Sequence, residues 1–316
     1  MISINKQAND IVNSMVAQAE RLGINVARLS NGAQVIDIGL HAAGGLLAGK
    51  YTANISLGGM GEVNFLPLDF GDFWLPGVSI AVDNPEIGCM ASQYAGWGIR
   101  LSDFFAIGSG PARALARVEP VFKKLDYADT ADTAVIILEG RQMPDPAVAE
   151  YIARKCQVDP SSLTLIIAPA SCLGGSVQLS ARAVATGMHK MLYLGFDVRK
   201  VLHGFGTCPI APVATDEDLA SALSNDCVLY GARVHYTVRA DDSEIEALIG
   251  RIPSNASPTF GTPFYQIYER YGSFYNMDPL VFCPSQVAMS NLNSGRTFRA
   301  GKSNPEVLRI SLLGEK

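Results

Sequence analysis

The chain has 316 residues, 48% of them hydrophobic and 17% charged, which excludes a disordered chain and supplies core for two ordinary domains or one large one. Its 30 acidic and 25 basic residues leave a formal charge of −5, the wrong sign for a dedicated nucleic-acid binder. No apolar run reaches the length that spans a bilayer, so neither a nucleic acid nor a membrane is expected as partner.

From the N-terminus, Ile11, Val12, Met15, Val16 and Ala19 recur at helical spacing and predict a helix over about 5–22. The same stretch has no apolar core and no small-residue cleavage site; no signal peptide is expected, and the chain reads as cytoplasmic. Val26, Leu29, Val35, Ile36 and Ile38 flank Asn31-Gly32, a hairpin signal. Segments 50–58 and 77–83 read as strands separated by glycine-rich turns, and a helix is expected from 85 to 97 with Pro85 at its start. Strand 133–138, helix 145–156, strand 163–168 and a single helix over 176–193 follow. The remainder gives helix 216–223, strands within 227–239, helices 243–249 and 263–271, strand 280–284 and a hairpin at Asn293-Ser294-Gly295. Hairpins mixed with helices, rather than strict alternation, predict an α+β architecture over a doubly wound parallel sheet. No linker marks a boundary between halves.

The six cysteines are scattered without a CxxC pair, and His41, His203 and His235 show no ligand spacing. A disulfide framework and a metal site are therefore both unexpected. Three segments carry possible chemistry. Gly108-Ser109-Gly110-Pro111-Ala112-Arg113 is a glycine turn opening a helix, with a forked cation in its first turn; that suits a phosphate or carboxylate. It is not the dinucleotide fingerprint, because Arg113 stands at the third glycine. An ordinary strand-to-helix turn with a solvated arginine reads equally well. A second glycine turn precedes Ser176, Gln178 and Arg182. On the following helix Arg182, Ala185, Thr186 and His189 share one face, which is either a ligand-facing stripe or a surface arginine beside a half-buried histidine. In the third segment Gly204, Gly206, Pro209 and Pro212 shape a loop, and Asn225-Asp226 offers hydrogen bonds to a heterocycle edge. Gln93 and Trp97 could present a ring face, although a tryptophan is more often core. A phosphate- or nucleotide-binding enzyme fits the two glycine turns as well. No nucleophile elbow supports covalent catalysis.

Taken together, these segments resemble the methenyltetrahydromethanopterin cyclohydrolase family. The matching blocks are Leu29-x-Asn31-Gly32-Ala33, Leu57-Gly58-Gly59, Ser92-Gln93-x-Ala95-Gly96-Trp97 and the run from Ala106 through Arg113 to Leu115. They continue with Gly175-Ser176-Val177-Gln178, Pro209-Ile210-x-Pro212 and Ser224-Asn225-Asp226. Gly261-x-Pro263-Phe264-Tyr265-x-Ile267, Ser294-Gly295 and Ala300-Gly301-Lys302 complete the order. The resemblance covers essentially the whole chain. It implies two side-by-side α+β domains forming a wide cleft, a homotrimer, and hydrolysis of 5,10-methenyltetrahydromethanopterin to the 5-formyl compound without cofactor or metal. It also implies that Gln93, Trp97, Gly108, Ser109, Gly110, Arg113, Ser176, Gln178, His189, Asn225 and Asp226 lie at the pterin, with arginine tips meeting its acidic tail.

One position departs from the family pattern. The resemblance implies that an arginine and a glutamate three residues on handle the hydrolytic water. The arginine is Arg182, but the glutamate position holds Ala185. Alanine accepts no proton and arginine stays charged, so Arg182 alone is no base. Another group such as His189 or Glu139 takes the role, or the rate rests on the substrate's own electrophilicity, or the chain is a pterin-binding paralogue with altered function.

Overall fold

The computed structural model describes residues 2–272 and 277–314. The helices and strands follow in chain order: α1 (Ile4–Val16), α2 (Ala19–Leu22), β1 (Asn25–Arg28), β2 (Gln34–Asp37), α3 (Leu46–Ser56), β3 (Gly61–Asp69) and β4 (Trp74–Asp83). After a π-helical segment, Glu86–Gln93, come β5 (Trp97–Leu101), β6 (Phe104–Ser109), α4 (Ala112–Ala116), β7 (Ala134–Gly140), α5 (Pro146–Cys156), β8 (Leu163–Ile167) and α6 (Leu173–Ser180). The chain continues through α7 (Ala183–Tyr193), β9 (Val201–Pro209), α8 (Glu217–Asp226), β10 (Arg233–Val238), α9 (Asp242–Ile249), α10 (Phe264–Tyr271), β11 (Gln286–Asn291), β12 (Thr297–Gly301) and α11 (Pro305–Leu308). Residues divide into two compact units, each built on one sheet: 1–62 with 87–179, and 63–86 with 180–316.

In the first unit the strand order is β1-β2-β8-β7-β6-β5. Strands β2, β8 and β7 run parallel, while antiparallel pairs close both edges. Alternation of side chains along these strands fills two cores. Ala134, Ile136, Leu138, Leu163, Leu165 and Ile167 meet α5 through Val148 and Ile152. Val135, Ile137, Ile166, Ile36 and Ile38 meet α1 and α3 through Val12, Met15, Ala48 and Ile55. A parallel centre buried on both faces explains why TAVIIL and LTLII are apolar at every second and most intervening positions.

The second unit has the order β12-β11-β10-β9-β4-β3, with β10 and β11 parallel and the pairs β9–β10, β11–β12 and β4–β9 antiparallel. Helices cover one face of this sheet; the other carries Phe205, His203 and Arg233 exposed to solvent, as mixed and antiparallel sheets allow. The α+β expectation holds. Caps fix several helix starts: the carboxylates of Asp145 and Asp216 accept the backbone N–H of Val148 and Leu219, both at 2.8 Å, worth about 1 kcal/mol each.

Several expected elements differ. Residues 50–58 belong largely to helix α3, where Thr52 Oγ1 donates to the Ala48 carbonyl at 2.9 Å and α3 packs on α1. Burial of the small residues Ala48 and Ala53 decides against the β-branched local preference. The expected helix 85–97 is a π-helical segment that stops at Gln93, with β5 beginning at Trp97. The expected helix 176–193 breaks at Ala181-Arg182 into α6 and α7. Cys227–Gly231 is a π-helical turn rather than strand, and the loop expected over 204–212 is strand β9 up to Pro209. In place of strand 280–284 there is a 3₁₀ turn, with β11 beginning at Gln286.

Candidate functional site

In the first unit the Gly108–Arg113 block is the end of β6, a turn, and the start of α4. Gly110 needs its glycine: φ is 98°, and a Cβ there would lie 2.7 Å from Ile137 Cδ1. Its N–H donates to the Ser92 carbonyl at 2.9 Å. Asn5, fully buried, donates to the Pro111 carbonyl at 2.9 Å and to Asp129 Oδ2 at 2.8 Å, and accepts from Val135 N–H at 3.1 Å. The turn is thus held from α1, from the π-helical segment and from β7.

Arg113, at the start of α4, points into the unit rather than into solvent. Its side chain is 0% exposed. Nε and Nη2 donate to the Glu119 carboxylate at 2.7 Å each. Nη1 donates to the carbonyls of Met90 and Ser92 at 3.0 and 2.8 Å, and the guanidinium lies over the rings of Tyr94 and Phe122. With four donors occupied inside the unit, Arg113 forms a buried ion pair with Glu119. A removed partner would leave an uncompensated buried charge, the costly case. Trp97 is likewise core, 2% exposed among Ile99, Ile136 and Leu138.

The other first-unit candidates are buried polar groups on well-formed elements. Gln93 donates from Nε2 to Ser56 Oγ at 3.2 Å. Ser109 ends β6 opposite Ile137; Ser176 and Gln178 lie in α6, and all three are buried. Asn5, Ser56 and Glu119 lie outside every sequence motif: Asn5 and Ser56 meet partners distant in sequence, and Glu119 belongs to the stretch after the glycine turn.

In the second unit Arg182 caps α7 with φ −84° and ψ 0° and is half-buried. Ala185, 3% exposed, and His189 follow one and two turns on. The His189 ring packs against Tyr193, with centroids 4.5 Å apart and the planes tilted by 53°. Burial, helped by the neighbouring Lys190 charge, lowers the His189 pKa to about 4, so the imidazole is neutral at pH 7 and weakly basic. Asn225 and Asp226 separate. Asn225 turns back to the Ser221 carbonyl at 2.9 Å, while the buried Asp226 accepts from Phe264 N–H at 2.8 Å and from Ser311 Oγ. Burial raises the Asp226 pKa to about 7 against those two hydrogen bonds. Asp226 is therefore a tie between α8, α10 and the C-terminal segment.

Among the described residues no group of three or more His, Cys, Asp or Glu is placed to hold a metal, and no helix is long and apolar enough to cross a membrane. The six cysteines are free and buried. A family model described as Cyclohydrolase (MCH) matches residues 3–312. The chain belongs to this cyclohydrolase family. It is 39% identical over 312 residues to a methenyltetrahydromethanopterin cyclohydrolase of Methanosarcina barkeri, covering 98% of this chain and 97% of that one. It is 40% identical over 318 residues to the protein of that name from Methanocaldococcus jannaschii, covering 99% and 98%. The Methanothermobacter marburgensis protein is 40% identical over 317 residues, covering 98% and 99%. Family membership therefore extends over both units.

Proposed function

We propose that this chain hydrolyses 5,10-methenyltetrahydromethanopterin to the 5-formyl compound, as a cytoplasmic homotrimer serving one-carbon metabolism. The observation that carries this reading is the match to cyclohydrolases along nearly the whole chain at 38–40% identity.

The chemistry asks little of the protein. The N–CH–N bridge shares a positive charge between two nitrogens, so its carbon is already electrophilic. A water oxygen bonds to that carbon and loses a proton. The resulting hydroxyl gives up its second proton as the bond from carbon to N10 breaks, N10 takes up a proton, and the formyl group stays on N5; of the two protons the water loses, one ends on N10 and one is released overall. Orientation of the water and a route for its proton are what the enzyme adds. Arg182 is assigned the orienting role: it remains charged and donates hydrogen bonds to the attacking and developing carbonyl oxygen. Ala185 provides no acceptor. A His189 pKa of about 4 makes that imidazole a poor base near neutral pH. The proposed rate therefore rests on substrate electrophilicity and positioning, with the proton leaving to solvent. Gln93, the Gly108–Gly110 turn, Ser176, Gln178, His189 and Asn225 remain proposed pterin contacts; Trp97, Arg113 and Asp226 are assigned to the fold.

Mixing the protein with the methenyl compound and following its absorbance tests the reading. Loss of the chromophore should far outpace the buffer rate, and a rate equal to buffer overturns it.

A further inference from the structure

Arg182 is the N-cap of helix α7, and the second unit seats this helix through specific contacts. Its sheet-facing side is Val184, Gly187, Met188 and Met191, all buried. Tyr236 of β10, fully buried, donates its hydroxyl to the Val184 carbonyl at 2.7 Å. Gly187 supplies the notch: a Cβ there would stand 2.1 Å from Tyr236 Oη. Val184 in turn rests on two glycines of β9. Cβ atoms on Gly204 and Gly206 would meet its methyls at 2.6 and 3.0 Å. Gly204 is also the cross-strand partner of Tyr236. Two adjacent strands thus grip one turn of α7, two residues beyond Arg182.

The hydroxyl is not needed to complete the helix. The Val184 carbonyl can be satisfied by the ordinary helical bond four residues on, and phenylalanine would fill nearly the same volume. Burying a phenol there carries a desolvation cost, and what it adds is a directional restraint on where the first turn of α7 sits. An ångström of misplacement at a catalytic group can cost on the order of 10² in rate.

We propose that Tyr236 is a positioning residue for the hydrolysis, acting through the Val184 carbonyl to fix the first turn of α7 and so to aim Arg182. This rests on the role given to Arg182 above. The test compares Tyr236→Phe, Arg182→Lys and the double variant, using 5,10-methenyltetrahydromethanopterin as substrate. Tyr236→Phe should lower kcat about tenfold with KM nearly unchanged and the fold intact by circular dichroism. In the Arg182→Lys background the same change should have almost no further effect, because the aim of a misfitted group no longer matters. Gly206→Ala, whose added methyl presses on Val184 from the other strand, should lower kcat in the same way and supports the proposal even where Tyr236→Phe folds poorly. Unchanged kcat in Tyr236→Phe, or equal losses in both Arg182 backgrounds, overturns the proposal. An Arg182→Lys enzyme with full kcat overturns the role of Arg182 instead, whatever Tyr236→Phe does.

Discussion

The backbone N–H of Phe264 donates to the Asp226 carboxylate across 2.8 Å, so the end of one helix holds the start of another 38 residues later. Ser311 supplies the second hydrogen bond from the C-terminal segment. One buried carboxyl thus ties three stretches of the second unit, and its protonation is coupled to their packing.

Stability should fall with rising pH at this group. The folded pKa is raised from 3.8 to about 7, so the folded state holds the proton more tightly than the unfolded chain. That contribution is complete below about pH 4 and is lost as pH climbs through 7. Asp226→Asn keeps an acceptor for Phe264 and a donor for Ser311 while removing the charge. Denaturant titrations should show the variant gaining on wild type by about 2–4 kcal/mol between pH 4.5 and 8. Parallel pH profiles for the two proteins would contradict the assignment.

The opposite sign is expected of His189. Its folded pKa, about 4, is depressed from 6.5 by burial and by Lys190. The unfolded state therefore binds the proton first as pH falls. Stability from keeping this imidazole neutral is full above 6.5 and disappears toward pH 4. His189→Gln should flatten the acid limb of the stability profile between pH 6.5 and 4; an unchanged limb would count against a buried neutral imidazole.

Arg113 and Glu119 should behave as a unit. Arg113→Met strands a buried carboxylate and should cost about 3–5 kcal/mol. Replacing both with Met and Gln should cost less than the Arg113 change alone, and chemical denaturation of the four members of the cycle reads that difference. Additive losses would show that the pair is not coupled.

Installing the acid that the resemblance implies beside Arg182 is a direct gain-of-function test. Ala185→Glu should raise kcat, on the order of 10² for a general base, while overpacking a buried position costs about 1–3 kcal/mol of stability. The chromophore assay on wild type and variant decides; equal kcat would mean that solvent already takes the proton fast enough.

Local signals with a covalent or steric cause were legible in the sequence. Asn31-Gly32 marked the β1–β2 hairpin, and Asp145-Pro146 opened α5 where expected. Mostly apolar runs marked β7 and β8 because both of their faces are covered. What escaped depended on partners far along the chain. Residues 50–58 carry Tyr51, Thr52 and Ile55, good strand formers, yet fold as helix because small residues let α3 pack on α1. Strand β9 looked like a loop because Gly204, Gly206 and Pro209 are breakers in isolation; two of them are glycine to make room for Val184. Arg113 followed a turn suited to an anion, and nothing in the five residues between announced that Glu119 would claim it. On α7 the Arg182–Ala185–His189 face was readable from helical spacing, whereas its support from Tyr236 was not.

The chain leaves the first sheet after residue 62, contributes β3 and β4 to the second, returns at 87, and departs again after 179. During synthesis the β3–β4 hairpin emerges well over a hundred residues before β9, its partner in the register Val78 to Cys208. Such a long loop closure slows folding, and the waiting strand edge invites unwanted pairing. A nascent chain stalled before residue 201 should therefore be a strong client of holding chaperones. Neither half could be expressed as a simple contiguous fragment.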